Sequence, residues 1–477
     1  MMNKIIYLLL IMLSATLASC EQLGSVSDIE PEYVLTDESA YTNASSTEAV
    51  LRGVYQQWRR DGITQMRNAM FQLTRTTVNT DIARAYEFKV NDVSVSSPIV
   101  RAYYEDLYRL VNQASSIITF LPDVSPKELT YERKQEIIGE AYFNRGLANF
   151  MLLRSFGEFW DETSTLGIVL YDSPVRENKA MARSSVKDCY TLICSDLENA
   201  IKLCPDFNTS YYANKIAAKA IKAKVALYQK DYPTTIRLCK EIEQEATAMN
   251  LGLEDTYSEI FSKGYDSKEL LFAVYTSYPQ EIISKGIFND FFLNGVDGTA
   301  TVRIADELIG EAEDGDMYTG EGMDPRYGQI YQWIDEALFM GKYPNNVNGE
   351  DANPYYIIRL AEVNLIRAEA EYRMNDLQSA RTSLKRITDR AGYPEDYVDN
   401  ISDANLPLKI FQHKYIELNA ENYEEWFDMV RYNLLDGIDF TELRYIRSYK
   451  HKCLPIPYDA LAGNNLLVQN PDYIYSN

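Results

Sequence analysis

The sequence contains few of the residues from which catalytic and metal centres are most often built. Only two histidines, His413 and His451, occur in 477 residues, so a histidine-based active site has little material. No G-x-S-x-G elbow, H-E-x-x-H motif or phosphate-binding P-loop is present. Basic residues are also scarce, since 47 Lys and Arg stand against 70 Asp and Glu, giving a net charge of −23. Nucleic-acid binding requires a basic surface, so we expect no nucleic-acid partner.

Long hydrophobic runs are missing except at the amino terminus. Residues 1–19 carry Lys4, an apolar stretch and then small residues, which predicts a secretory signal peptide too short to span a membrane. The run Leu17-Ala18-Ser19-Cys20 resembles a bacterial lipobox, in which the signal is cut before Cys20 and that residue is acylated, palmitate being one such group. The alternative is a plain secretory signal that happens to contain a cysteine.

Cysteine is rare in the remainder of the chain. Five residues are left after Cys20, and an odd number in an exported protein leaves at least one thiol unpaired. Their spacing matches no zinc pattern. Four fall in predicted helices, so we interpret them mainly as small buried hydrophobic residues. They are Cys189, Cys194, Cys204, Cys239 and Cys453.

What the sequence does contain is helical hairpins. Residues 353–392 predict two helices, the first capped by Asn353 with Pro354 in its first turn. Asp376 predicts the cap of the second helix, and Gly392 its left-handed end. Such a hairpin is the unit of tetratricopeptide-type stacks and cannot bury both of its faces alone.

Partner hairpins are predicted at about 99–157, 185–228 and 215–249. A capping box at Ser125–Glu128 predicts the start of a long helix that ends at Phe156. Residues 72–97 show no helical period and predict a loop, whereas 408–433 predict one continuous helix. The expected fold is mainly α, a solenoid-like base of tetratricopeptide-like hairpins with an inserted loop-rich region carrying short strands.

The inserted region is residues 250–352. Glu269–Ser277 alternate as a strand does, and the rest is rich in Gly, Asp and aromatic residues. A stretch of this length with little helix in a helical protein is typical of a functional insertion. We therefore divide the chain into a signal peptide at 1–19, an N-terminal helical region at 20–249, the insertion at 250–352 and a C-terminal region at 353–477.

Aromatic residues are the most distinctive part of the composition, with 37 tyrosines. A sugar-binding surface needs flat rings for stacking and polar side chains for hydroxyl groups. The loop around 81–88 and the insertion offer both, although a single aromatic residue more often belongs to a core or an interface. Phe88 and Tyr275 are further aromatic residues of these loops. The predicted binding residues are Asp81, Arg84, Tyr86, Tyr278, Phe292, Asn294, Tyr318 and Trp333.

Catalysis and metal binding have weaker support in the sequence. Carboxylate pairs such as Glu417 and Glu421 have the helical spacing that a glycosidase could use, but acidic helix surfaces carry such pairs routinely. Asp314, Asp316 and Asp324 do not meet the EF-hand spacing. We expect no enzymatic activity, no cofactor and no metal.

Four stretches follow the lipobox in this order: Glu140–Trp160, Asp324–Gly328, Tyr355–Arg373 and Leu454–Tyr473. Together they resemble the SusD/RagB family of Bacteroidetes outer-membrane lipoproteins over essentially the whole mature chain. One departure falls at His413–Asn433, where His413 and Lys414 replace an acid and an arginine and Asn422 replaces a glycine; we interpret these positions as structural.

This resemblance implies the helical fold described above and a function. Family members lie on the outer membrane, facing the exterior, as lids on a TonB-dependent, SusC-like transporter, and they capture oligosaccharides or, in some members, peptides for uptake. The resemblance therefore implies a carbohydrate-binding lipoprotein. Peptide capture, a helical-repeat adaptor that binds only protein, and a surface glycosidase stay open as alternatives.

Overall fold

The computed structural model describes residues 40–74, 86–177, 179–276, 304–305, 307, 322–334, 337–343, 353–440 and 448–473, with the backbone alone for 332–334, 337–339 and Lys450. Helices dominate, as predicted. They are α1 (Ala44–Gln57), α2 (Asp61–Thr74), α3 (Tyr86–Lys89), α4 (Pro98–Phe120), α5 (Tyr131–Phe156), α6 (Val186–Leu203), α7 (Lys215–Tyr228), α8 (Tyr232–Ala248), α9 (Tyr257–Lys263), α10 (Tyr327–Ile330), α11 (Leu360–Arg373), α12 (Leu377–Ala391), α13 (Leu406–Glu417), α14 (Glu424–Asp436) and α15 (Tyr458–Gly463). The strands are β1 (Leu270–Val274), β2 (Tyr331–Ile334), β3 (Ala337–Met340) and β4 (Tyr355–Arg359).

The base of the molecule is a series of helices in which each packs on the next. Helix α4 packs on α5, α5 on α6, α6 on α7 and α7 on α8. The stack then continues with α11 and α12, because α8 packs directly on α11. Short turns make hairpins of α7–α8 and α11–α12, which confirms the predicted tetratricopeptide-like architecture.

The hairpin predicted at 353–392 is confirmed except where its first helix starts. Asp376 caps α12 by accepting a hydrogen bond from the Ser379 amide at 3.1 Å, and Gly392 ends it at φ +92°. The predicted start is wrong, since Tyr355–Arg359 form β4 and the first helix begins at Leu360, so Asn353 and Pro354 precede a strand and not a helix. Aromatic and β-branched residues favour extended backbone, and this run pairs antiparallel with β1.

Three other boundaries differ from the sequence prediction. Helix α5 begins after Thr130, whose hydroxyl caps it, whereas Glu128 of the predicted capping box has φ +63°. Helix α2 was not predicted; almost every residue in it is buried, including the polar Arg67, Asn68 and Gln72, so burial there does not follow the polar pattern of the sequence. The helix predicted at 408–433 is two helices, interrupted by left-handed residues at Ala420 and Tyr423.

One large apolar core runs through the base and reaches β1, β4 and α14. Helices α2 and α4 approach so closely that a side chain at Gly62 would lie 2.3 Å from the Ala102 backbone. The five described cysteines are free thiols, and all but half-buried Cys194 are buried. They fill core space as expected.

Glu425 in the first turn of α14 predicts a pH dependence of stability. Burial raises the pKa of its carboxyl group to about 8, although Glu425 Oε1 accepts a hydrogen bond from the Ala420 amide at 2.8 Å. The group stays protonated in the fold but ionises near its ordinary pKa of 4.5 in the unfolded chain. Glu425 therefore contributes stability that is present below about pH 4.5 and is lost as the pH rises to about 8.

We expect Glu425→Gln to be close to wild type in stability at pH 5 and more stable by roughly a few kcal/mol at pH 8, as measured by urea unfolding. The control is Glu132→Gln, since Glu132 also lies in the first turn of a helix but is exposed. A difference between Glu425→Gln and wild type that does not grow with pH would contradict the assignment.

Candidate functional site

Most of the predicted binding residues lie outside the described part of the chain. Of the eight, Tyr86 begins α3 with 63% of its surface exposed, and Trp333 lies on β2 opposite Leu338. Phe88 follows Tyr86 by two residues but is fully buried, so it belongs to the core. The predicted residues outside the described segments are Cys20, Asp81, Arg84, Tyr278, Phe292, Asn294 and Tyr318.

The insertion leaves the base and returns to it at one place. Strands β1 and β4 pair antiparallel, so Val274 lies opposite Tyr355. Just beyond them, the Thr276 hydroxyl donates a hydrogen bond to the Asn353 carbonyl at 2.5 Å. The Tyr265 hydroxyl accepts from the Thr276 amide at 2.7 Å. The two ends of the segment between β1 and β4 are therefore fixed next to each other.

Helix α13 binds the last residue of α2 and a residue of the insertion. The Tyr415 hydroxyl donates to the carbonyl of Thr74, the last residue of α2, at 3.0 Å. The Lys409 ammonium donates to the Glu307 carbonyl at 2.8 Å, and Gln412 Nε2 to the Glu307 carboxylate at 3.0 Å. These three α13 residues stand three positions apart, so each lies about one turn from the next. The point where the chain enters the 75–85 loop and Glu307 of the insertion are thus bound by neighbouring turns of one helix.

A buried group of eight charged side chains lies beneath this region, and we call it the central ion cluster. It joins the insertion, β4, α12 and the turn after α13, and four carboxylates face four cationic groups. Every member is less than 5% exposed as a side chain. The members are Glu269, Asp324, Arg326, Lys342, Arg359, Arg390, Glu417 and Glu421.

Arg326 is the member that ties the insertion to α13. It holds Asp324 through two hydrogen bonds of 2.9 and 2.6 Å and Glu417 through one of 2.9 Å. It also donates to His413 Nδ1 at 2.9 Å. Because a guanidinium only donates, this ring nitrogen accepts, and Nε2 carries the proton that faces the Tyr397 hydroxyl at 3.0 Å. Burial and Arg326 lower the pKa of His413 well below its ordinary value, so the ring is neutral.

Arg359, at the end of β4, is the centre of the cluster. It donates to Glu417 at 2.6 Å and to Glu421 at 2.9 and 3.0 Å, and it also binds Glu269. Burial alone would raise the pKa of Glu417, but Arg390, Arg359 and Arg326 hold it well below its ordinary value. Burial lowers the pKa of Lys342 to about 8 despite its 2.8 Å pair with Glu421. Desolvation is therefore the opposing force throughout.

The positions at which the sequence departs from the family pattern all have partners. His413 binds Arg326 as described, and the buried Lys414 ammonium pairs with Asp428 at 2.9 Å. The Asn422 side chain donates to the Ile357 carbonyl at 2.6 Å, which fixes the turn before α14 to β4. These residues are structural, as interpreted from the sequence.

An exposed group of tyrosines lies where the insertion begins. Tyr275 is 43% exposed, and its ring centroid lies 4.9 Å from that of Tyr211 and 5.1 Å from that of Tyr265. Tyr211 continues the row to Tyr212, also 43% exposed, at 5.2 Å. Tyr275 was named from the sequence, but the neighbouring pair Tyr211 and Tyr212 was not. Their signal in the sequence is two consecutive aromatic residues just before Asn214, which caps α7.

Two family matches cover most of the chain. Residues 34–227 match a SusD-like family described as starch-binding and associating with the outer membrane, and residues 304–473 match the SusD family itself. The chain belongs to the SusD family.

The relatives of this SusD-like chain are distant in sequence but match along its length. Two SusD-like proteins of Formosa agariphila are 22% and 23% identical, covering 98% and 90% of this chain and 98% and 91% of their own. A SusD-like protein from Bacteroides fragilis superposes with a TM-score of 0.72 at 21% identity, covering 92% of this chain and 99% of its own. A laminarin-binding SusD-like protein gives 0.66 at 19% identity, covering 91% and 100%. At these identities the superpositions establish the fold.

Two further features of this SusD-like chain concern membranes and metals. None of the helices in the described segments combines the length and apolar character needed to cross a bilayer. Within the same segments, histidine, cysteine and acidic side chains form no group that could hold a metal ion.

We expect Arg326→Ala to destabilise the fold by about 3–5 kcal/mol, because it leaves Asp324 buried without a charge partner and removes one of the three guanidinium groups that pair with Glu417. The measurement is the free energy of unfolding in urea. Arg237→Ala is the control, since Arg237 is 56% exposed in its side chain and, among the described residues, forms an ion pair with Glu241 alone, and should cost less than about 1 kcal/mol. Equal losses in the two variants would contradict the role of the central ion cluster.

Proposed function

We propose that this protein captures oligosaccharides at the cell surface and delivers them to a TonB-dependent, SusC-like transporter for uptake. Lipid attachment at Cys20 would hold it on the outer membrane, facing the exterior. Membership of the SusD family supports this proposal, since one matching family is described as starch-binding and associating with the outer membrane. A SusD-like structural neighbour that binds laminarin supports a glycan as the ligand class.

The observation that supports this binding surface is that α13 binds both the end of α2 and a residue of the insertion. Thr74 and Glu307 are both held by this helix, through Tyr415 and through Lys409 with Gln412. The residues predicted from the sequence for this surface would supply the rings and polar groups that sugars require. They are Asp81, Arg84, Tyr86, Tyr278, Phe292, Asn294, Tyr318 and Trp333.

Capture without catalysis is the second part of the proposal. Glu417 and Glu421 are the carboxylates noted as a possible glycosidase pair. Both form ion pairs within the central ion cluster, and each is less than 5% exposed. Arg359 and its neighbours keep the pKa of both groups low, so neither is placed or tuned as a general acid.

The test is a glycan and peptide array on a soluble form that begins at Glu21, followed by calorimetry on any hit. A saturable oligosaccharide hit without turnover is the expected outcome. A peptide hit alone would move the assignment to peptide capture, and transporter binding without any small ligand would favour the protein adaptor. Release of shortened glycan would make the protein an enzyme and overturn the proposal.

Tyr86→Ala and Tyr278→Ala should each weaken binding of the array's oligosaccharide by roughly three- to tenfold, the loss of one stacking ring. Thermal stability should not fall, because the Tyr86 ring is largely outside the core. Tyr131→Ala is the matched control, since Tyr131 is 77% exposed at the start of α5. Unchanged affinity in both test variants would eliminate this choice of residues.

A further inference from the structure

A polar cavity of about 350 Å³ lies in the helical base, apart from the two candidate loops. It is formed by α1, by the first half of α5 and by residues 205–214, which connect α6 to α7. Neither α13 nor the insertion contributes to its lining. Its volume is near the lower end of the range of roughly 300–1,000 Å³ for small-molecule sites, which suits a short ligand.

An exposed aromatic ring forms one wall of this cavity. Tyr212 lines it with 43% of its surface exposed, and its ring is held edge-on by Tyr55 at 5.2 Å. The Tyr55 hydroxyl is fixed in turn, since it donates to Glu140 at 2.5 Å and accepts from the Ala213 amide at 2.9 Å. The Tyr212 ring is thus presented to solvent by an ordered support, as stacking against a sugar requires.

Polar side chains with unused hydrogen-bonding capacity line the same cavity. Arg52, Asn208 and Thr209 have no side-chain hydrogen bond or ion pair to any described residue. Arg52 is close enough to act electrostatically on the Tyr212 hydroxyl. A guanidinium, an amide and a hydroxyl beside one exposed ring are the groups that bind vicinal hydroxyls of a sugar.

The charge of the cavity selects against anionic ligands. Arg133 already binds Glu48 at 2.7 Å, Glu136 at 3.0 Å and Glu140 at 2.8 Å, and Arg52 is the second guanidinium. With Asp206, which also lines the cavity, four carboxylates therefore face two guanidinium groups. A uronate, sulfate or phosphate would meet a net negative wall, whereas an uncharged polyol would not.

We propose that this cavity is a second carbohydrate site, which binds a short neutral saccharide by stacking on Tyr212 and by hydrogen bonds to Arg52, Asn208 and Thr209. The row Tyr212–Tyr211–Tyr275 gives a longer glycan rings on which to continue toward the insertion. This inference rests on the proposed function, because it assumes a carbohydrate ligand. It concerns different residues, so the cavity site and the two-loop site can be disproved separately.

The experiment is equilibrium dialysis of the full mature chain, purified in detergent, with labelled maltotriose and laminaritriose as probes. We expect wild-type protein to bind one of these trisaccharides at this cavity, and Arg52→Ala and Asn208→Ala each to weaken that binding about tenfold. Both side chains are exposed and unpaired, so thermal unfolding should match wild type. Tyr212→Ala should act likewise, and Tyr458→Ala, at an equally exposed tyrosine on α15, should not.

Two results would overturn the second site: saccharide binding that is unchanged in Arg52→Ala, Asn208→Ala and Tyr212→Ala, or no binding of either neutral trisaccharide. Binding that these variants weaken, but that Tyr86→Ala and Tyr278→Ala do not, would support the cavity while removing the two-loop site. Binding that Tyr86→Ala and Tyr278→Ala weaken, but that the three cavity variants do not, would support the proposed function and eliminate the second site.

Discussion

The fold depends on how a balanced set of charges is buried where four parts of the chain meet. Glu417 forms ion pairs with Arg326 of the insertion, with Arg359 at the end of β4 and with Arg390 of α12. Burying ions costs free energy that their pairing only partly recovers, so such a cluster is a poor source of net stability. It is a strong source of specificity, because removing any single member leaves the buried charges unbalanced. The described insertion residues Glu269, Asp324, Arg326 and Lys342 are therefore fixed to the base through their ion pairs.

This arrangement makes α13 the element that relates structure to function. His413 and Glu417 face the central ion cluster, whereas Lys409, Gln412 and Tyr415 face the ends of the two loops. The same helix thus contacts the central ion cluster through His413 and Glu417, and it binds Thr74 and Glu307 through its other residues. Rigid stems allow a binding surface to vary in its loops without altering the base. That separation fits a family whose members share a fold at about 20% identity.

The sequence predicted the helical base well because its signals are local. Asp376 and Gly392 mark the two ends of α12 by side-chain and backbone chemistry that the structure reproduces. Prediction from the sequence failed where tertiary contacts decide the secondary structure. Helix α2 buries polar as well as apolar residues on nearly all sides, and β4 exists because β1 pairs with it. The Tyr211-Tyr212 pair carried no motif, and only the fold places it next to Tyr275 and the polar cavity. The residues predicted between the loop stems stay predictions.

The distribution of buried and free polar groups separates the two kinds of site in this molecule. In the central ion cluster every charge is paired, so its carboxylates have no remaining capacity for a substrate. In the base cavity, Arg133 satisfies the acids while Arg52 and Asn208 keep their donors and acceptors beside an exposed ring. Hydrogen bonds to a ligand gain free energy only where the protein has not already used the groups that would make them. By that criterion, the charged residues of the central ion cluster are structural. Ligand binding is expected instead where an exposed ring lies beside polar side chains that no described residue already binds.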